Sequence, residues 1–173
     1  MRRSLTLILP AVLGFAAGAA VFAAAAKFDP GILNGDKKEV ADRLLKEAET
    51  LAGKGSWERI AVGRVHYLAG RKDQGKALFD AVLAGKPEWT DYTRIATVYA
   101  LAGEWNTAKE LYDKALVLKP AAGRLLAEAG AWHQLKGDKN KAKELFTASL
   151  NADPNDFWDR ITIAAALEGQ EPF

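Results

Sequence analysis

The two histidines, His66 and His133, are the residues of this sequence with the most obvious potential for chemistry. Histidine changes its charge near neutral pH, so it can act as a general acid or base or bind a metal ion. Catalysis needs a carboxylate or serine beside the ring, and a metal site needs further ligands. No helical spacing brings such a partner to either histidine. We therefore predict that both rings pack in the core, that the protein is not an enzyme, and that it has no metal or cofactor.

The absence of cysteine from the sequence excludes further kinds of chemistry. Without a thiol there is no disulfide, thiolate metal site, covalently attached c-type haem or lipidated N-terminal cysteine. The 24 Lys and Arg residues slightly outnumber the 22 Asp and Glu residues, but Arg2 and Arg3 stand ahead of a long apolar run. Beyond those two arginines the charges balance. Because a nucleic-acid-binding domain normally carries an excess of positive charge, we expect no nucleic-acid partner.

The apolar run near the N-terminus predicts a membrane-directed segment. Residues 5–26 carry no charge, and as a helix they would extend about 33 Å, enough for a bilayer core of about 30 Å. Ala24 and Ala26 also fit the small-residue cleavage pattern of a secretory signal. Residues 1–26 are therefore a signal peptide or a transmembrane anchor, and in both cases the positive-inside rule predicts a periplasmic or otherwise exported location for the rest of the chain. Residues 27–36 are predicted to be a linker.

The remainder of the sequence repeats with a period of 33 to 34 residues. In each unit an apolar stretch of helical period ends at a glycine, a second such stretch comes next, and a proline closes the unit. This order predicts a helix, a tight turn, a second helix and a stop. A small residue would let the paired helices approach, and an aromatic residue would fill the space between units. Five positions recur in register: Gly63, Ala96 and Gly130; His66, Tyr99 and His133; Gly70, Gly103 and Gly137; Phe79, Tyr112 and Phe146; and Pro87, Pro120 and Pro154.

The repeating unit resembles the tetratricopeptide repeat, which has Trp, Leu-Gly and Tyr in its first helix and Ala, Phe and Pro in its second. The third unit has this order with Leu126 in place of Trp, whereas the first departs more, with Arg59 at the Trp position and Gly75 at the Ala position. The second unit matches best, through Tyr92, Ile95, Ala96, Tyr99, Ala108, Tyr112 and Pro120.

The resemblance implies an all-α fold: a right-handed α-solenoid of about three tetratricopeptide-like helix pairs behind an N-terminal apolar helix. Ala41, Leu45 and Ala48 continue the register outward, which predicts the second helix of an incomplete leading unit. The expected divisions of the repeat domain, residues 37–173, are a flanking helix over 37–52, units over about 56–88, 89–122 and 123–156, and a flanking helix over 157–168.

In this family the first helices line a concave groove that binds partner proteins. The carboxylate clamp of some members is not expected here, because Ile60 and Thr93 stand at its positions. For any single groove residue, simple solvent exposure or packing against a neighbour is the alternative explanation. Carried onto this sequence, the groove residues implied by the resemblance are Trp57, Ile60, Arg64, Tyr67, Thr90, Thr93, Thr97, Arg124, Ala127, Gln134, Trp158 and Ile161.

The last predicted helix is apolar on nearly every side, although a terminal repeat normally has a polar outer face. One interpretation is that it docks on a second copy of the chain or on another protein, with Trp158 and Ile161 as anchors. The other is that alanines cover its outer face while the large side chains turn inward.

These features together predict a binding function rather than a catalytic one. The first expectation is an adaptor or assembly factor that binds a protein or peptide on the far side of the inner membrane. The alternative is a structural subunit of a membrane complex, held by a retained N-terminal helix.

Overall fold

The computed structural model describes residues 29–172, which contain helices, turns and loops but no β-strand. The predicted all-α class is confirmed for this range. The chain divides into residues 1–34 and residues 35–173. The structure describes only the end of the segment 1–34, where Pro30–Leu33 form a 3₁₀ turn. The segment 35–173 contains α1 (Lys37–Ala52), α2 (Ser56–Leu68), α3 (Lys72–Leu83), α4 (Trp89–Leu101), α5 (Trp105–Leu118), α6 (Gly123–Leu135), α7 (Lys139–Ala152) and α8 (Phe157–Leu167).

The predicted membrane segment, residues 1–26, lies outside the described residues. From residue 29 to residue 172, no helix combines the length and the apolar character needed to cross a bilayer.

The helices pack in adjacent pairs. The first helices α2, α4 and α6 each pack most extensively on the next helix in the chain, and α2 also contacts α4 while α6 contacts α8. Each of the three pairs turns at a glycine with positive φ, at Gly70, Gly103 and Gly137, as the sequence predicts. A backbone bond closes each turn, for example from the N–H of Arg71 to the carbonyl oxygen of His66 at 2.9 Å. Such short turns return the second helix along the first.

The small-residue position lets paired helices come close together. A methyl group at Gly63 would lie 2.6 Å from Cε1 of Phe79, and one at Gly130 would lie 2.7 Å from Cδ1 of Phe146. No real Cβ atom could occupy either place without displacing the aromatic ring. The small residue therefore lets the paired helices approach, as predicted, and the aromatic residue of the same pair lies directly against it.

The core continues from one helix pair to the next through these aromatic residues. Phe79 is fully buried, with its ring centroid 5.7 Å from that of Tyr67 and 5.9 Å from that of Tyr99 on the neighbouring pair. Such edge-on and tilted ring contacts are favourable. At the other end of the domain, buried alanines of α6 and α8, including Ala127 and Ala166, form a second apolar cluster.

Helix α8 buries one face and exposes another. Asp159, Thr162 and Ala166 are buried, whereas Phe157, Trp158 and Leu167 are more than half exposed. Its large side chains therefore do not all turn inward, and that interpretation of the sequence is wrong. The side chain of Asp156 caps the helix by accepting a hydrogen bond from the N–H of Asp159 at 2.7 Å.

Candidate partner-binding groove

A cavity of about 430 Å³ lies across the first helices of the three complete pairs, α2, α4 and α6. We call it the groove. Its residues recur at intervals of three and four along each helix, which places them on one helical face. They are Trp57, Ile60, Ala61 and Arg64 from α2; Trp89, Thr90, Thr93, Arg94, Thr97 and Val98 from α4; and Arg124 and Glu128 from α6.

The structure brings together seven of the groove residues that the family resemblance implies: Trp57, Ile60, Arg64, Thr90, Thr93, Thr97 and Arg124. It places the other five, Tyr67, Ala127, Gln134, Trp158 and Ile161, outside the lining of this cavity.

Burial explains why two of these five residues do not line the groove. Tyr67 is only 5% exposed, because its ring packs beside Phe79 and Tyr99, and its hydroxyl donates a hydrogen bond to Oε2 of Glu104 at 2.8 Å. Ala127 is fully buried in the cluster that α6 shares with α8. Of the remainder, Trp158 is exposed, with its ring 5.3 Å from that of Phe157.

Five groove residues were not anticipated from the sequence: Ala61, Trp89, Arg94, Val98 and Glu128. Three of them, Ala61, Arg94 and Glu128, occupy one repeat position, 33 and 34 residues apart. Each stands one residue after a position already assigned to the groove. Extending the assigned face by one residue on each first helix would have found them.

Arg94 is held against an aromatic ring at one side of the groove. Its Cζ atom lies 3.6 Å from the ring centroid of Trp57, which is itself half exposed. A guanidinium over an indole face gains a cation–π attraction and keeps its N–H groups free to point around the ring edge. The contact therefore positions a positive charge without neutralising it.

Glu128 is tied down by two hydroxyl groups within the protein. Its Oε1 atom accepts hydrogen bonds from the hydroxyls of Thr97 at 2.7 Å and Tyr112 at 2.9 Å. Burial raises the pKa of Glu128 above its ordinary value, although these bonds and the positive charges of Arg124 and Arg94 act in the opposite direction. Burial, together with the nearby Glu128, also raises the pKa of Tyr112 well above its usual value, so Tyr112 stays protonated and remains a donor.

The groove consequently has a positive electrostatic character. The lining contains three arginines, Arg64, Arg94 and Arg124, and one carboxylate, Glu128, whose charged form is disfavoured by burial. Arg124 also lies near enough to Asp159 to oppose the rise that burial causes in the pKa of that carboxyl. Arginine pairs well with carboxylates because its planar N–H groups match their two oxygens. Threonine hydroxyls and two tryptophan rings supply the rest of the polar and aromatic surface. This arrangement suits an acidic segment with some apolar side chains.

The two histidines are buried, as predicted, and each has a carboxylate partner that helical spacing does not bring to it. Nε2 of His66 lies 3.0 Å from Oε1 of Glu49, and Nδ1 of His133 lies 3.1 Å from Oδ2 of Asp138. These partners come from α1 and from a turn, so helical spacing could not reveal them. Arg71 donates to Nδ1 of His66 at 2.9 Å, which leaves Nε2 to donate to Glu49.

Neither histidine lines the groove, and each ring is enclosed by its own unit and a neighbour. Within the described part of the chain, no group of three or more His, Asp or Glu side chains is placed to hold a metal ion. The histidine pairs therefore link structural elements: His66 joins α1 to the first complete helix pair.

The fold and groove together define an all-α protein of adjacent helix pairs with a positively charged cavity on its first helices. No protein-family model matches the chain, and no curated protein is significantly similar to it.

Proposed function

We propose that the protein is a tetratricopeptide-like scaffold, with no catalytic role, which binds an acidic, extended segment of a partner protein in the groove. The observation that carries the proposal is the convergence of Arg64, Arg94 and Arg124 from three successive first helices on one cavity. A linear segment can contact all three helices in turn, and each arginine offers it a charge-assisted hydrogen bond. Trp57 provides an aromatic surface beside them.

The repeat positions support the finer description of the fold. Turn glycines, small residues and aromatic residues recur with the tetratricopeptide period, and the helices pair as that repeat requires. We propose on this basis that the pairs stack with the right-handed sense of the family, with α1 and α8 as parts of incomplete flanking units.

The proposed place of action is the far side of an inner membrane. Support comes from the uncharged residues 5–26 behind two arginines, which fit an export signal or an anchor. The mass of the mature protein from its native membrane fraction separates these two forms. Loss of residues 1–26 would exclude the tether, and retention would exclude cleavage.

Fluorescence anisotropy with a defined probe tests the groove. The probe is a fluorescein-labelled peptide of alternating Glu and Leu, and the corresponding Lys and Leu peptide controls for nonspecific attraction. We expect the acidic peptide to bind and the basic one not to bind. Replacing Arg64, Arg94 and Arg124 together by Gln should weaken binding at least about tenfold, since each arginine is a charged contact of the interface.

A matched triple variant keeps this experiment specific. Lys109, Lys114 and Lys143 are exposed on the second helices α5 and α7, so replacing them by Gln removes the same net charge outside the groove. Equal losses of affinity in both triple variants would contradict the groove proposal, because general electrostatic attraction would then explain the binding.

A further inference from the structure

Helix α8 exposes residues at repeat positions that the first helices of the three complete pairs bury. Leu167 is 61% exposed, whereas the residues at the same repeat position, His66, Tyr99 and His133, are all buried. Ala164 is likewise exposed, although it shares its position with the small buried residues that let paired helices come together. No second helix covers this face in the part of the chain that the structure describes.

Helix α1 shows the complementary situation. It has the sequence register of a second helix and packs on α2, but no first helix of its own precedes it among the described residues. Leu44 is 39% exposed, whereas at the same repeat position Leu111 and Leu145 are buried and Leu78 is half-buried. Ala41 is also exposed, although Ala108 and Ala142 at its position are fully buried.

The complete pairs show how these two positions meet. A methyl group at Gly75, the position of Ala41, would lie 2.6 Å from the carbonyl oxygen of Gly63, the position of Ala164. The two positions are therefore in direct contact inside a pair, and both must be small. Helices α1 and α8 each keep a small residue there, beside an exposed leucine.

We propose that α8 of one copy of this chain pairs with α1 of a second copy, forming across two molecules a helix pair that neither helix has within residues 29–172. Ala41 and Ala164 would then be in contact, and Leu44 and Leu167 would become buried. The interface is heterologous because it joins two different surfaces, so it leaves a free α1 and a free α8 and extends into open chains of molecules.

Charge supports the same pairing. In the first complete pair, Nζ of Lys72 lies 5.5 Å from the ring centroid of Tyr67. The corresponding residues are Lys38 in α1 and Glu168 at the end of α8. Pairing α8 with α1 therefore places the opposite charges of Lys38 and Glu168 near each other. Two copies of α8 packed together would instead place two Glu168 side chains of like charge near each other.

Light scattering coupled to size-exclusion chromatography tests the proposal on the 173-residue chain. We expect the mass of the wild type to rise with concentration over tens of micromolar. Leu44→Glu and Leu167→Glu should each weaken association at least about tenfold, because each buries a charge in the contact. Val117→Glu is the matched control, since Val117 is an exposed apolar residue of α5 and lies in neither surface.

Mixing the two variants separates this arrangement from a symmetric one. Leu44→Glu keeps an intact α8 and Leu167→Glu keeps an intact α1, so an equimolar mixture should form dimers that do not grow further. If Leu44→Glu associates like the wild type while Leu167→Glu does not, α8 pairs with itself and the proposal is wrong. A wild type that stays monomeric also overturns the proposal. That result is expected if the exposed face of α8 binds a different protein.

Cysteine crosslinking locates the contact, since the chain has no native cysteine. Mixed Ala41→Cys and Ala164→Cys proteins should form a disulfide-linked dimer on mild oxidation. Ala77→Cys, on the exposed surface of α3, should not crosslink to Ala164→Cys. Equal crosslinking with both partners would contradict the pairing. None of these results depends on whether the groove binds a peptide, so the two proposals can fail separately.

Discussion

The groove and the contact between α6 and α8 are built from the same repeat positions, yet one is open and the other is closed. Thr93 and Thr97 line the groove, whereas Ala127 and Ala131, 34 residues later, are fully buried in the cluster that α6 shares with α8. Alanine lets the helices come together, and longer polar side chains leave a cavity whose surface can bind a partner. Side-chain size at equivalent positions therefore decides which part of the array is structural and which is available for binding.

Adding the same bulk to both regions should affect them very differently. Ala131→Leu forces extra atoms into the closed contact, and we expect the free energy of unfolding to fall by about 1–3 kcal/mol. Ala61→Leu adds the same atoms on the exposed wall of the groove and should change it by less than about 0.5 kcal/mol. Urea denaturation followed by circular dichroism measures both. Similar losses would mean that the groove is as tightly packed as the α6–α8 contact.

Beside the closed contact, a buried polar pair joins α7 to α8. Oγ of Ser149 donates to Oδ2 of Asp159 at 2.8 Å, and both residues are almost fully buried. Ser149→Ala removes the donor and should lower the free energy of unfolding by about 1 kcal/mol, since Asp159 can lessen the loss by taking up a proton. Thr147→Ala, an exposed change on the same helix, is the control. Equal stability of the two variants would show that the pair contributes little.

Glu128 gives the groove a pH dependence of predictable sign. Burial raises its pKa in the folded state, so the native protein holds more protons at this site than the unfolded chain does. The contribution of Glu128 to the free energy of unfolding therefore falls as the pH rises from the pKa of the unfolded state, about 4.3, through the raised pKa of the folded state. Glu128→Gln cannot titrate, so its stability relative to the wild type should increase across that window. Denaturation at a series of pH values that shows no change, or a decrease, would contradict this account.

Trp57 is half exposed and holds Arg94, so its replacement should affect peptide binding more than stability. Trp57→Ala should change the free energy of unfolding by about 0.5–1 kcal/mol, the range of an exposed cation–π contact. It should nevertheless weaken binding of the acidic peptide several-fold, because Arg94 would no longer be positioned. Trp158→Ala, which removes a similarly exposed ring outside the groove, should leave peptide affinity unchanged. Anisotropy measurements on both variants make the comparison.

The sequence predicted the helical architecture because its signals are local and repeated. The turn glycines must adopt positive φ, and small residues at Gly63 and Gly130 are required by the aromatic rings that face them. Such requirements appear in the sequence as fixed residue types at a fixed period. The helix pairs result from them directly.

The groove could be predicted only in part, because position along a helix does not determine what covers a side chain. Tyr67 lies three residues after Arg64 and so nearly shares its face, but Phe79 and Tyr99 draw its ring into the core. The contact between His66 and Glu49 joins residues 17 positions apart on different helices. Neither helical spacing nor the repeat period carries information about such tertiary contacts.

The most direct test of the binding proposal is to locate the acidic peptide on the protein by NMR. Titrating the unlabelled Glu and Leu peptide into ¹⁵N-labelled protein should shift the signals of groove residues on α2, α4 and α6, including the side-chain Nε–H groups of Arg64, Arg94 and Arg124. Signals of α8, such as the indole N–H of Trp158, should not move. Shifts confined to α8, with the three arginines unchanged, would contradict the account.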